Sequence, residues 1–322
     1  MRIIMMTRFY LNGQTTHVLD LCHALQKRGH RVFLIASRLD HPAYARWLQE
    51  KGIPFNRTDR PTDLVHYLRR LRFDVIHNHS AHTLDAALQL GSLLEIPVIA
   101  TCHYLDFEPV NLLRRTHAVV AISEEMAAQL PLPTQQIRIV ENGVPIPAAV
   151  EWHNRSREAV VLARVDQSRS TAYGQAVDAL LELGWRVSIA GGWRHPGAHA
   201  VGWTINPNKL LQRARLVLGT GRAIREGMAA GCVGLVVGDY MDGIVTPANV
   251  ETLRRTNFSG RTGKQTPSPE RFRSELAKLQ SWNLGDLMMF SRTYAKKHFD
   301  INKMADAMAS IYREAGGKGK TA

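Results

Sequence analysis

Three scarcities narrow this chain before any motif is read. It has only three cysteines in 322 residues, Cys22, Cys102 and Cys232. They lie far apart without C-x-x-C spacing, which argues against a disulfide framework or a zinc ribbon and for a reducing compartment, the cytoplasm. No apolar run reaches bilayer-spanning length, and the strand-like residues 3–6 are interrupted too soon, by Thr7, Arg8 and Asn12, to act as a signal peptide. Membrane association is then expected to be peripheral, at the inner face. Acid is short as well: 28 Asp and Glu stand against 41 Lys and Arg, a formal charge of +13. Such a balance draws a protein to polyanions, whether sugar nucleotides, anionic lipid surfaces or nucleic acid. A D-x-D pair is missing too, Asp106-Phe107-Glu108 being the weaker substitute.

What is present fits two globular cores, since 45% of the residues are hydrophobic. Short apolar runs alternate with amphipathic stretches, the rhythm of a doubly wound parallel sheet. Residues 3–6, 31–37, 74–77, 98–101 and 118–122 read as buried strands. Between the first two, Val18, Leu21, Cys22 and Leu25 share one face of a helix over 15–28 that Gly29 stops. Turn formers over 141–147 place a domain boundary near 150. The rhythm then restarts, with strands at 159–163, 186–190, 216–218 and 234–237 and helices near 171–183, 208–214 and 222–230. The expected fold is α/β, two Rossmann-like doubly wound parallel-sheet domains facing a central cleft. Their expected extents are 1–149 and 150–290, with helices over 291–315 packing back toward the first domain and a disordered tail over 316–322. Gly319-Lys320-Thr321 in that tail lacks the leading glycine and the following helix of a phosphate-binding loop.

Open α/β sheets bind ligands beyond the carboxyl ends of their strands, and the polar residues cluster at such ends. Arg164 and Arg169 follow the strand over 159–163. Two guanidinium groups there neutralise a diphosphate and stabilise charge on a phosphate leaving group without a metal; the plainer reading is two solvated loop charges. Gly219-Thr220-Gly221 opens the helix that carries Arg222 and Glu226, and it offers N–H groups and the positive helix end to an anion. The plainer reading of Glu226 is a surface ion pair with Arg222 one turn earlier. Gly13 and Gly191 sit at further strand ends. His77, His79, His82 and His103 are metal ligands by residue type, and H-x-H on one strand face is compatible with zinc. No further ligand stands at suitable spacing, so no metal is expected, and a histidine at a strand end serves as a hydrogen-bond donor to phosphate or backbone. Arg57, Arg60, Arg69, Arg70 and Arg72 surround an apolar stripe of Leu64, Leu68 and Leu71, with Arg114 and Arg115 further on. This reads either as a face for an anionic bilayer or as a solvated helix packed on its own sheet. Interleaved aromatics and any recognised nucleic-acid module are lacking, so no nucleic-acid partner is expected.

Several ordered pieces carry a family resemblance. Asn12-Gly13 with Thr15, Asp74-Val75-Ile76-His77-Asn78-His79, Pro97-Val98-Ile99-Ala100-Thr101-Cys102-His103, Ala121-Ile122-Ser123 and Asn142-Gly143-Val144 resemble the motifs of family 4 retaining glycosyltransferases, which have the GT-B fold. The resemblance implies transfer of a sugar from a nucleotide-diphosphate donor, UDP-linked, to a glycan, lipid-linked or protein acceptor in cell-envelope glycan or glycolipid synthesis. It implies no cofactor. Arg164 and Arg169 match the arginine and lysine of the donor-diphosphate motif, and His103 matches the histidine beside the donor sugar. These three are the expected catalytic residues. Gly13, Gly191, Gly219, Thr220, Gly221, Arg222 and Glu226 are the expected donor-binding residues. The E-x7-E motif is shortened or divergent: Glu226 matches its second acid, which serves the ribose, but Leu218 occupies the place of the first. That leaves open a different donor sugar, a substitute such as Arg222 or Glu226, or a protein that binds without turnover. A GT-B sugar-nucleotide epimerase is the remaining alternative.

Overall fold

The computed structural model describes residues 1–39 and 41–317. The chain divides into two compact units, Met1–Asn142 with Ile301–Ala322, and Gly143–Asp300.

The first unit is built on seven strands: β1 (Arg2–Thr7), β2 (Arg31–Ala36), β3 (Phe55–Arg57), β4 (Val75–Asn78), β5 (Val98–Cys102), β6 (Ala118–Ala121) and β7 (Ile137–Ile139). They form one sheet in the order β3-β2-β1-β4-β5-β6-β7, every neighbouring pair parallel. Six helices connect them: α1 (Gly13–Lys27), α2 (Pro42–Glu50), α3 (Val65–Leu71), α4 (Ala81–Leu94), α5 (Val110–Leu113) and α6 (Glu124–Gln129). Asn12 caps α1 by accepting from the Thr15 amide at 3.3 Å, and Ser123 caps α6 by accepting from Met126 at 3.2 Å. The C-terminal helix, Ile301–Gly317, belongs to this unit. Arg28 at the end of α1 forks onto Asp306, and the Tyr312 hydroxyl meets His77 Nδ1 at 2.7 Å. The helix runs through Gly316 and Gly317, where a disordered tail was expected to begin; residues 318–322 of that expected tail lie outside the described residues.

The second unit holds β8 (Glu158–Leu162), β9 (Arg186–Ala190), β10 (His199–Ala200), β11 (Leu216–Gly219), β12 (Val233–Val237) and β13 (Met241–Ile244). Their order is β10-β9-β8-β11-β12-β13, and only β12 with β13 is antiparallel. Its helices are α7 (Gln167–Glu182), α8 (Asn208–Leu211), α9 (Arg222–Ala229), α10 (Val250–Arg255), α11 (Pro269–Ser281) and α12 (Leu284–His298). A strand buried on both faces reads as a continuous apolar run, and alternate residues then feed two cores. Val161, Leu218 and Leu235 pack with Tyr173, Val177 and Phe272 from α7 and α11. Val160, Val217 and Val236 pack with Ile224, Met228 and Phe299. Gly227 lets α9 lie close on β11, because a Cβ there would stand 2.1 Å from Val217 Cγ1. Among the described residues no helix is long and apolar enough to cross a membrane.

Candidate functional site

In the second unit the strand order reverses at β8 and β11, the place where a doubly wound sheet opens a crevice. Side chains are kept out of it. A Cβ on Gly219 would meet Leu162 O at 2.7 Å and one on Gly191 would meet Ala163 O at 2.6 Å, so both positions beside the end of β8 require glycine. Arg164 is exposed in the connection that follows β8, whereas Arg169 lies in the first turn of α7, which starts earlier than its apolar pattern indicates. Arg169 is partly buried and paired. Its Nε and Nη2 donate to the two carboxylate oxygens of Asp239 at 2.7 and 2.9 Å, a planar fork on a planar acceptor. The guanidinium beside Asp239 holds that carboxyl below the usual carboxylate range. Tyr173, one turn along α7, donates to Val237 O at 2.6 Å, pinning the start of α7 to the end of β12, from which Asp239 hangs.

The glycine turn is less open than its sequence indicates. Gly221 N–H already donates to Phe258 O at 3.0 Å and Ala223 N–H to Thr220 O at 3.1 Å, so these two amides are not free for an anion. Arg222 donates from Nε to Glu226 at 2.7 Å and from Nη1 to Gly143 O at 3.0 Å. The Arg222–Glu226 pair is therefore formed, but not at the surface: the two side chains are 7% and 16% exposed. The other end of α9 is closed by buried cations. Arg155 donates to Ala214 O and Ala230 O, and Arg292 to Ala229 O and Pro147 O. Guanidinium groups at the negative end of the helix satisfy its last carbonyls and fix the rod that carries Glu226. Arg225, fully buried, lies 4.4 Å from the Phe299 ring centroid and donates to Asn257 Oδ1 at 3.3 Å. Leu218, at the place of the absent acid, is completely buried in β11.

The first unit gathers its histidines at its own reversal, between β1 and β4. His79 Nδ1 and His103 Nε2 are 3.1 Å apart, and the His17 ring from α1 lies 4.8 Å from that of His103. His77 is spent on structure, bonded at 2.7 Å to Thr101 Oγ1 and at 2.7 Å to the Tyr312 hydroxyl. Burial pushes its conjugate acid down to about 3, and burial with neighbouring imidazoles pushes that of His79 down as well. Such neutral rings suit hydrogen bonding or metal ligation. Among the described residues, His17, His79 and His103 are the one grouping whose ligand atoms all lie within 4.8 Å. Sequence spacing misses His17, which a helix rather than a strand supplies. His82 is exposed. Gly13 is the first residue of α1, beyond the Asn12 cap. Of the apolar stripe around α3, Leu68 is fully buried and Leu64 packs on the same core. The arginines around it are exposed.

Residues 11–146 match the profile of Glycosyltransferase Family 4. Over these residues the chain is similar to family 4 glycosyltransferases. Solved structures match over nearly the whole chain. HepE from Anabaena in complex with UDP-glucose is 14% identical, with a TM-score of 0.74, covering 98% of this chain and 100% of that one. A glycosyltransferase from Rickettsia africae is 13% identical, with a TM-score of 0.72 and 98% of each chain covered. Sucrose-phosphate synthase from Thermosynechococcus elongatus is 13% identical, with a TM-score of 0.69, covering 98% of this chain and 99% of that one. These likenesses show that the chain has the two-sheet GT-B fold. No curated protein matches it by sequence. Like His17, Asp239 and Arg155 of this GT-B chain do not stand out in the sequence; neither sits in a motif, and each is recognised only by the partner that the fold brings to it.

Proposed function

We propose that this protein is a metal-independent retaining glycosyltransferase that transfers a hexose from a UDP-linked donor to an acceptor of the cell envelope or of a glycolipid. The observation that carries the reading is the second unit's crevice, where glycines bare the end of β8 and two arginines follow it. HepE, of the same fold, is described in complex with UDP and with UDP-glucose. Arg164 and Arg169 hold the diphosphate and neutralise the charge that grows on it as the glycosidic bond breaks. Binding requires Arg169 to exchange Asp239 for phosphate oxygens, which match the same fork. Glu226, oriented by Arg222, accepts from the ribose diol. In the first unit, His103 is the hydrogen-bonding group assigned to the transferred sugar. The exposed arginines on and around α3 favour an anionic surface through charge alone.

A second reading, a nucleotide-binding subunit without turnover, is favoured by Leu218, whose complete burial leaves no room for an acid at that place. A panel of sugar nucleotides screened by thermal shift tests the donor, since a ligand that binds only the folded form raises the melting temperature. A stabilising nucleotide sugar that is then consumed supports the enzyme. One that stabilises and stays intact supports the subunit.

A further inference from the structure

A second polar recess lies at the carboxyl ends of β1, β2 and β3 in the first unit. It is a half-enclosed cavity of about 190 Å³. It has room for several waters or for a small polar molecule such as one sugar ring. Its floor is apolar, with Met6 and Ile35 each 1% exposed. Its wall holds two buried polar atoms, Arg8 Nε and Ser37 Oγ, and among the described residues neither has a hydrogen-bond partner. Buried donors left unmade are costly and are resolved in native proteins by water or ligand.

The fold holds both groups in place. Ser37 donates its amide to Thr7 O at 3.0 Å, directly beside the end of β1. The Arg8 guanidinium lies 5.7 Å from the Tyr10 ring centroid, which supports the side chain from one side. Thr58, tied by its amide to Ala36 O at 3.1 Å, adds a hydroxyl, and exposed Asp59 adds an acceptor at the rim. A guanidinium N–H beside a hydroxyl matches an anionic oxygen, the apolar floor matches a face of a pyranose, and the rim acid matches sugar hydroxyls.

We propose that this cavity binds an acidic sugar, its carboxylate or phosphate oxygen accepting from Arg8 and Ser37 and its ring lying over Met6 and Ile35. On the glycosyltransferase reading, on which only this role rests, that sugar is part of the acceptor. The binding itself is independent of any transfer and is measured on the full chain without a nucleotide sugar. Calorimetric titration with glucuronate, glucose 6-phosphate and glucose supplies carboxylate, phosphate and neutral arms. At least one anionic sugar is expected to bind about tenfold or more tightly than glucose, and to lose about tenfold in Arg8→Ala and less in Ser37→Ala. Arg8→Lys, which keeps the charge, is expected to recover part of the loss, and Arg70→Ala, an exposed arginine outside the cavity, none of it to lose. The arm that binds identifies the source of the anion. Equal binding of glucose, no binding in any arm, or an affinity indifferent to Arg8→Ala in a variant that melts like the parent overturns the proposal. UDP binding in the second unit is measured separately, so failure here leaves that reading standing, and the reverse.

Discussion

The Arg169–Asp239 pair yields the sharpest prediction, because one carboxylate occupies the fork assigned to the donor diphosphate. The two side chains are 33% and 57% exposed, so solvent screens the pair and it is worth about 0.2 to 1 kcal/mol, the bidentate geometry placing it toward the upper end. A diphosphate that takes the fork gives up that much. Asp239→Ala is therefore expected to tighten UDP binding, by up to about fivefold. Arg169→Ala removes charge-assisted bonds worth about 1.5 to 3 kcal/mol and is expected to weaken binding by roughly ten- to a hundredfold. The double variant is expected to bind like Arg169→Ala alone, because without the guanidinium there is nothing for Asp239 to occupy. Isothermal titration of the four proteins with UDP reads all three terms. Looser binding in Asp239→Ala, or a gain that persists without Arg169, refutes the idea that Asp239 competes with the ligand.

Acid stability depends on His77. Its folded value lies near 3 against an ordinary 6.5, so the unfolded chain takes the proton first. Stability is then full above about pH 6.5 and falls as pH drops, by about 2 kcal/mol between pH 7 and pH 5; denaturant melts at the two pH values, with His77→Gln as a flatter comparison, check this. Arg155→Met strands carbonyls at Ala214 and Ala230 and is expected to cost the second unit about 2 to 3 kcal/mol in a denaturation experiment. Gly227→Val drives a side chain into Val217 and is expected to lower the melting temperature more than Gly192→Ala, where a Cβ meets nothing within 4 Å.

The fold was largely legible because its central strands are apolar runs four to six residues long, each followed by a helix with a plain start or stop. The edge strands were not. Phe55–Arg57 and Ile137–Ile139 have three residues and His199–Ala200 two, too few to show a period, and they are fixed by the neighbour they pair with. Gly13, Gly191, Gly219, Arg164, Arg169 and His103 fall at strand ends or helix starts, which apolar periodicity locates. Their partners do not follow from spacing. Asp239 stands 70 residues after Arg169, and only the order β8-β11-β12 with Tyr173 fixed to Val237 brings the two together. The same limit hid His17, and it made the glycine turn look more open than its bonds to Phe258 and Thr220 allow.

On the proposed function, the second unit seats a nucleotide-diphosphate sugar and the protein breaks its glycosidic bond. Release of UDP from a UDP-linked sugar, followed by phosphorus NMR with wild type and Arg164→Ala side by side, tests both halves at once. Steady release by wild type, lost or strongly slowed in Arg164→Ala, is the predicted result. Binding of the intact donor with no release from any sugar nucleotide, or release indifferent to Arg164, contradicts it.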